Sequence, residues 1–188
     1  MPSQPQLQAK QPVSSLLAGP YGHPFHPILV TVPIGAWVTS LVFDIASHVV
    51  GRPGFLTQSS QWLIAVGVIG ALLAATVGFL DFFALPPGTP AFRTALVHMT
   101  LNLLVTAAYV GNFLWRHGED IGRDSAVGTG PLVLSAVSVA ALGASGFLGG
   151  KLAYHYGVRV ADERKQAEGF TTTRPSASDA DRTTRTTR

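Results

Sequence analysis

Residues 62–85 read WLIAVGVIGALLAATVGFLDFFAL, with one charged side chain, Asp81, near the end. A helix needs about 20 mainly apolar residues to cross a hydrocarbon core of roughly 30 Å. This run is long enough and shows no alternation of apolar and polar positions, which excludes a barrel strand. Backbone in lipid must satisfy its own hydrogen bonds, so the segment has to be a helix. Three further segments qualify: about 28–50 (ILVTVPIGAWVTSLVFDIASHVV), about 94–115 (TALVHMTLNLLVTAAYVGNFLW) and about 131–156. The connections G-R-P-G near residue 51 and P-P-G-T-P near residue 86 are short, which makes sequential helices antiparallel neighbours. The expected fold is therefore all-α, an integral membrane four-helix bundle spanning residues 21–160. Polar, low-complexity tails at 1–20 and 161–188 are expected to be disordered.

Composition agrees with that reading. The 188 residues are 47% apolar and only 12% charged, against about 25% charged in soluble chains. The mean hydropathy is +0.31. Ten charged residues fall between Phe25 and Val158, and five of them (Arg116, Glu119, Asp120, Arg123, Asp124) share one polar stretch. A disordered chain, a coiled coil and a nucleic-acid domain are excluded as whole-chain readings. There is no cysteine, so disulfides, thiolate metal sites and iron–sulfur clusters are excluded too. The N-terminus lacks the apolar core of a secretory signal. No internal period of about 20–50 residues is visible, and an inverted repeat of two helix pairs stays open. The expected environment is the lipid bilayer of a bacterial inner membrane, with no nucleic-acid partner. With both termini on one side, that side holds Lys10, Arg93, Lys151, Arg159, Arg164 and Lys165, against Arg52, Arg116 and Arg123 on the other. The positive-inside rule then places both termini in the cytoplasm.

That topology sorts the ionisable groups. His23, His26, Asp81, His98 and His155 belong to the half nearest the termini; His48 and His117 lie at the opposite end. Intramembrane ionisable groups are expensive and so point to function. In G-H-P-F-H-P (22–27) both histidines precede prolines, which predicts an extended segment with His23 and His26 on the same side. In the third span, His98, Asn102, Tyr109, Asn112 and Arg116 fall within about 40° of one line and should face the bundle interior. Gly67, Ala71, Ala74, Gly78 and Asp81 form a small-residue stripe on the second span, and Ser138, Ser145 and Gly149 form one on the fourth. Small residues allow close helix approach. Asp44 and His48 are spaced i, i+4 and can meet on the first span.

These residues also carry a resemblance. G-H-P-F-H-P followed by I-L-V-T-V-P-I-G, then Gly78 and Asp81 in G-x-x-D, Arg93 five residues before His98, Asn102 one turn later, and the closing G-G-K-L-A-Y-H-Y-G-V-R-V form a specific combination. It resembles a bacterial family of four-helix membrane proteins catalogued as domain of unknown function 2231, over roughly residues 20–160. The resemblance implies a multi-pass membrane protein. It also brings association with Rieske-type fusions and haem-binding four-helix cytochromes.

Two functional readings follow. In the first, His26 and His98 bind haem b or a divalent metal ion for electron transfer. His23 is the substitute ligand, Asp81 and Asn102 surround the site, and a redox protein is the partner. In the second, Asp44, Asp81, His98 and Arg116 form a buried polar network in a non-redox protein: a small transporter, a proton relay or an accessory subunit. The small-residue faces suit a homo-oligomer. No G-x-S-x-G, H-E-x-x-H or P-loop pattern occurs, so a hydrolytic enzyme is the poorest reading.

Overall fold

A computed structural model of the chain describes residues 5–14, 16, 18–19, 22–118 and 124–170. Four helical segments in it are long and apolar enough to cross a membrane: Phe25–Ser47, Gly54–Phe82, Pro90–Gly118 and Thr129–His155. In chain order the helices are α1 (Pro5–Lys10), α2 (Phe25–Leu29), α3 (Thr31–Ser47), α4 (Gly54–Phe82), α5 (Pro90–Gly118), α6 (Thr129–Gly150) and α7 (Glu163–Glu168), with a π-helical turn at Lys151–His155. Among the described residues there is no strand. Glu119, Asp120 and Arg123 of the polar stretch lie outside the described residues, as do 1–4, 15, 17, 20 and 171–188 of the stretches read as tails.

Local chemistry sets the helix limits. The first span is broken at Val30 between α2 and α3. Pro33 lacks an N–H and its ring crowds the carbonyl four residues earlier, at Leu29. α4 begins at Gly54, two turns before the apolar run starts at Trp62. The added turns are amphipathic rather than apolar: Thr57 and Ser60 are buried, and Thr57 Oγ1 donates to Ser125 O at 3.0 Å. Pro90 opens α5, where a missing N–H costs nothing, and Thr89 Oγ1 accepts from Phe92 N–H at 3.1 Å. At the far end of the fourth span, Tyr156 N–H donates to Lys151 O at 3.1 Å, a wide turn of the kind often found at functional sites.

α3 packs on α4, α5 on α6, α4 on α5 and α3 on α6. α3 and α5 are therefore diagonal, and their side chains meet across the centre. The burial pattern is inverted relative to a soluble bundle. Ser40, Ser47, Ser60, Ser135 and Ser145 are buried, while Trp62, Leu104, Val137 and Phe147 are exposed. Apolar surface of that extent around a bundle belongs against lipid, and small polar residues inside let helices approach closely. The stripes act accordingly. A Cβ at Gly67 would collide with the Trp37 indole. At mid-depth Trp37 and Tyr109 stack with ring centroids 4.2 Å apart and planes 10° from parallel, within a small core completed by Ile64 and Val105.

Candidate functional site

Two polar layers flank that aromatic pair. The first lies toward the ends of α3 and α5. Arg116 Nη1 donates to Asp44 Oδ1 at 2.8 Å and Nη2 to Asp44 Oδ2 at 2.6 Å, and both side chains are fully buried. Ser60 Oγ donates to Asp44 Oδ1 at 2.5 Å. Arg116 Nε donates to Asn112 Oδ1 at 2.7 Å, and Asn112 Nδ2 donates to Pro131 O at 2.9 Å and Ser135 Oγ at 3.0 Å. Every transmembrane segment contributes a group. A bidentate pair with its remaining donors and acceptors used is the arrangement in which buried charges are tolerated.

The second layer, His26 and His98, lies about five helical turns from the first along both diagonal spans. A whole number of turns puts His98 on the same face of α5 as Arg116, and His26, before the break at Val30, meets it across the axis. The two imidazole centroids are 6.4 Å apart with planes at 85°. His26 Nδ1–H donates to Ala74 O at 2.9 Å. His98 Nδ1–H donates to Ser145 O at 2.9 Å, with Ser145 Oγ 3.0 Å from the same nitrogen. The tautomers are assigned from these bonds, since a carbonyl only accepts. Each Nε2 then carries a lone pair. Asn102 Nδ2 approaches His98 Nε2 at 3.2 Å while also donating to His98 O at 2.9 Å. Each ring fills a notch left by a glycine. A Cβ at Gly78 would lie 2.8 Å from His26 ring atoms, and one at Gly149 would lie 3.1 Å from His98.

Asp81 stands one turn beyond Gly78 and is paired from the closing motif. Arg159 Nε is 3.1 Å from Asp81 Oδ1, with both side chains nearly buried. Arg159 adopts φ 58°, a left-handed conformation unusual for a non-glycine residue and found where the surroundings over-determine it. Its N–H donates to Ala9 O at 2.9 Å, so α1 is strapped across this end. Lys10 Nζ lies 3.4 Å from Glu163 Oε1. Outside the spans, the Lys165 backbone N–H donates to Asp162 at 3.0 Å and holds that carboxyl below the usual aspartate range.

Several expectations change in detail. His26 is not in an extended segment: it is the second residue of α2, and extended geometry stops at the N-cap, Pro24 (φ −74°, ψ 131°). Pro27 is accepted because the first helical turn has no N–H bonds to lose. His23 remains outside the helix, where its carbonyl accepts from Gly19 N–H at 3.0 Å, so the two rings do not share a polyproline face. Asp44 turns to Arg116 rather than to His48, which is exposed beyond α3. Arg93 and His155 are also exposed. Asp44 and Arg116 on one side, and Asp81 and His98 on the other, form two layers and not one network. Tyr109, Asn112 and Arg116 are buried, as the stripe required, and Asn102 is half-buried against the His98 ring. Arg159 is legible in the sequence only as a charge within the closing motif.

The fit to a metal centre can be read from the donors. With ring centroids 6.4 Å apart, both imidazoles are close enough that each could give one nitrogen to a single metal ion, at bonds of about 2.0–2.1 Å. Backbone bonds at both Nδ1 atoms are the outer contacts that fix a ligating imidazole. Among the described residues, no group of three or more His, Cys, Asp or Glu side chains is gathered to hold an ion.

Residues 22–162 match the family described as "Predicted membrane protein (DUF2231)". No curated protein and no solved structure shows a significant match to the chain. The chain belongs to the DUF2231 family of predicted membrane proteins.

Proposed function

With that membership as premise, we propose that this multi-pass membrane protein holds one metal-centred group between His26 and His98 and serves electron transfer. The observation that carries the reading is the close imidazole pair, ring centroids 6.4 Å apart and planes at 85°, with both Nδ1–H groups tied to helix carbonyls. Haem b suits the donors better than a bare ion. A zinc-like site takes three or four protein ligands, whereas a haem iron can be held by histidine and would supply one-electron chemistry when bound. His26 and His98 would hold it. The Ala74 and Ser145 carbonyls fix both ring tautomers and orientations, and the Asn102 amide keeps its bond to His98 O when it yields Nε2. Gly78 and Gly149 give the rings their place. Asp81 and Arg159 close the layer toward the membrane surface.

The termini lie in the cytoplasm of a bacterium in this reading, so the site opens toward a cytoplasmic redox partner. Support comes from the cations left when the two held by buried carboxylates are set aside. Arg116 and Arg159 are held by buried carboxylates. Setting them aside leaves Lys10, Arg93, Lys151, Arg164 and Lys165 against Arg52 and Arg123. The test is purification from membranes. The wild type should carry one bound group per chain, and His26→Ala and His98→Ala should each remove it while insertion persists.

One observation favours the second, non-redox reading, a buried polar network in a transporter, relay or accessory subunit. His98 already has a hydrogen-bonding partner at each ring nitrogen. A colourless, metal-free wild type would decide for it. The stacked Trp37–Tyr109 pair and the filled Asp44–Arg116 layer close the bundle axis, which favours an accessory subunit over a transporter within that reading.

A further inference from the structure

The contacts across the bundle axis recur at a fixed spacing. Asp44 and Arg116 are 72 residues apart in the chain, and the same separation relates His26 to His98 and Trp37 to Tyr109. Their second contacts recur at a common spacing one position shorter. His26 donates to Ala74 O and His98 to Ser145 O. Trp37 Nε1 donates to Ile64 O at 3.3 Å, and Tyr109 Oη to Ser135 O at 3.4 Å. The glycines behind the two imidazoles, Gly78 and Gly149, share that shorter spacing. The sequence carries the same register: Leu63, Ala65, Val66 and Val68 recur as Leu134, Ala136, Val137 and Val139. Unrelated hairpins have no reason to place ring, carbonyl and glycine at matched positions at several depths.

Each unit holds two spans, an even number, so both run in the same direction. The relation is therefore a two-fold axis along the bundle, a parallel repeat and not an inverted one. On that axis an identical pair survives as His26/His98, the aromatic pair has diverged conservatively, and the third pair has become opposite charges. The last change has a physical consequence. Two copies of the first hairpin would bury Asp44 against Asp44, and two copies of the second would bury Arg116 against Arg116. Only the unlike pairing neutralises the layer.

We propose that residues 22–82 and 94–153 are two copies of one helical hairpin, each built to pair with another copy, and that Asp44–Arg116 makes the first copy select the second and reject itself. The partner that fits the axis face of either hairpin is the other hairpin, from the same chain or from a second chain. Ser60 and Ser135 around the pair can each donate or accept, so the layer tolerates exchange of its charges. This inference does not depend on any group bound at the histidines.

The experiment uses full-length chains. Asp44→Arg places two arginines in the layer, and Arg116→Asp places two aspartates. Each alone should lose the folded monomer expected of the wild type on gel filtration in mild detergent. Asp44→Arg/Arg116→Asp in one chain should recover the monomer. The two single variants, made together with different tags, should co-purify one to one, because hairpins exchanged between them restore both unlike pairs. A single variant that folds as the wild type would overturn the proposal. So would a double variant no better than the singles, or two co-produced singles that do not associate.

Discussion

At one end of the bundle Asp44 and Arg116 meet with no exposure, and hydroxyls and an amide take up the capacity that remains. At the other end, about five turns away, His26 and His98 occupy equivalent positions. There the His26 Nε2 has no hydrogen-bond partner among the described residues. The same helix faces thus carry a completed layer and an incomplete one. A completed buried ion pair holds elements in register and offers a ligand nothing. A pair of imidazoles set in glycine notches and held by backbone bonds would offer a ligand the His26 Nε2 and, once the Asn102 amide yields it, the His98 Nε2. In the proposed reading the first end serves structure and the second serves binding.

The sharpest way to break that division is at the charged layer. Arg116→Ala should destabilise the protein by about 3–5 kcal/mol, because it strands a buried carboxylate. Replacing both partners, as Asp44→Leu with Arg116→Met, should restore most of the stability. Chemical denaturation in detergent would measure both. If the double replacement costs as much as the single, the layer does more than pair charges.

A smaller effect is expected behind the imidazoles. Gly78→Ala should cost about 1–3 kcal/mol by overpacking, as the new methyl would displace the His26 ring. It should also lower the amount of bound group per chain. Stability lost with full occupancy retained would mean that the ring position does not matter for binding.

Asn102→Leu should weaken the bundle by about 0.6 kcal/mol, and by no more than roughly 1.7, since the amide bonds mainly within its own helix. Melting of the variant against the wild type would show it. Smallest of all is His48→Ala. The side chain is exposed and its i, i+4 neighbour Asp44 is engaged elsewhere, so neither stability nor bound group should change.

The sequence shows the parts that depend on one helix at a time. Run length and composition identify four spans, and the helical period puts Asn102, Tyr109, Asn112 and Arg116 on an inward face. The glycine stripe of the second span points to close contact, which in the structure is contact with the Trp37 and His26 rings. What depends on two helices is harder to read. Local spacing offers Asp44 a partner one turn away, but burial selects an arginine 72 residues away, which can meet both carboxylate oxygens. The α4 start is hidden because Thr57 and Ser60 look like loop residues until their buried partners are known. The repeat is hidden because its period exceeds that of solenoid arrays, roughly 20–50 residues. Most of its matched positions also keep shape or contact rather than identity. Arg159 is masked by neighbouring basic residues that the sequence reading counts only toward topology.

The most direct test of electron transfer at the histidine layer is a reduced-minus-oxidised optical difference spectrum of the wild-type protein purified in mild detergent, with iron measured on the same sample. The predicted result is a Soret band that shifts on reduction, with one iron per chain. A flat difference spectrum from folded, iron-free protein would contradict it and leave His26 and His98 as parts of a structural polar layer.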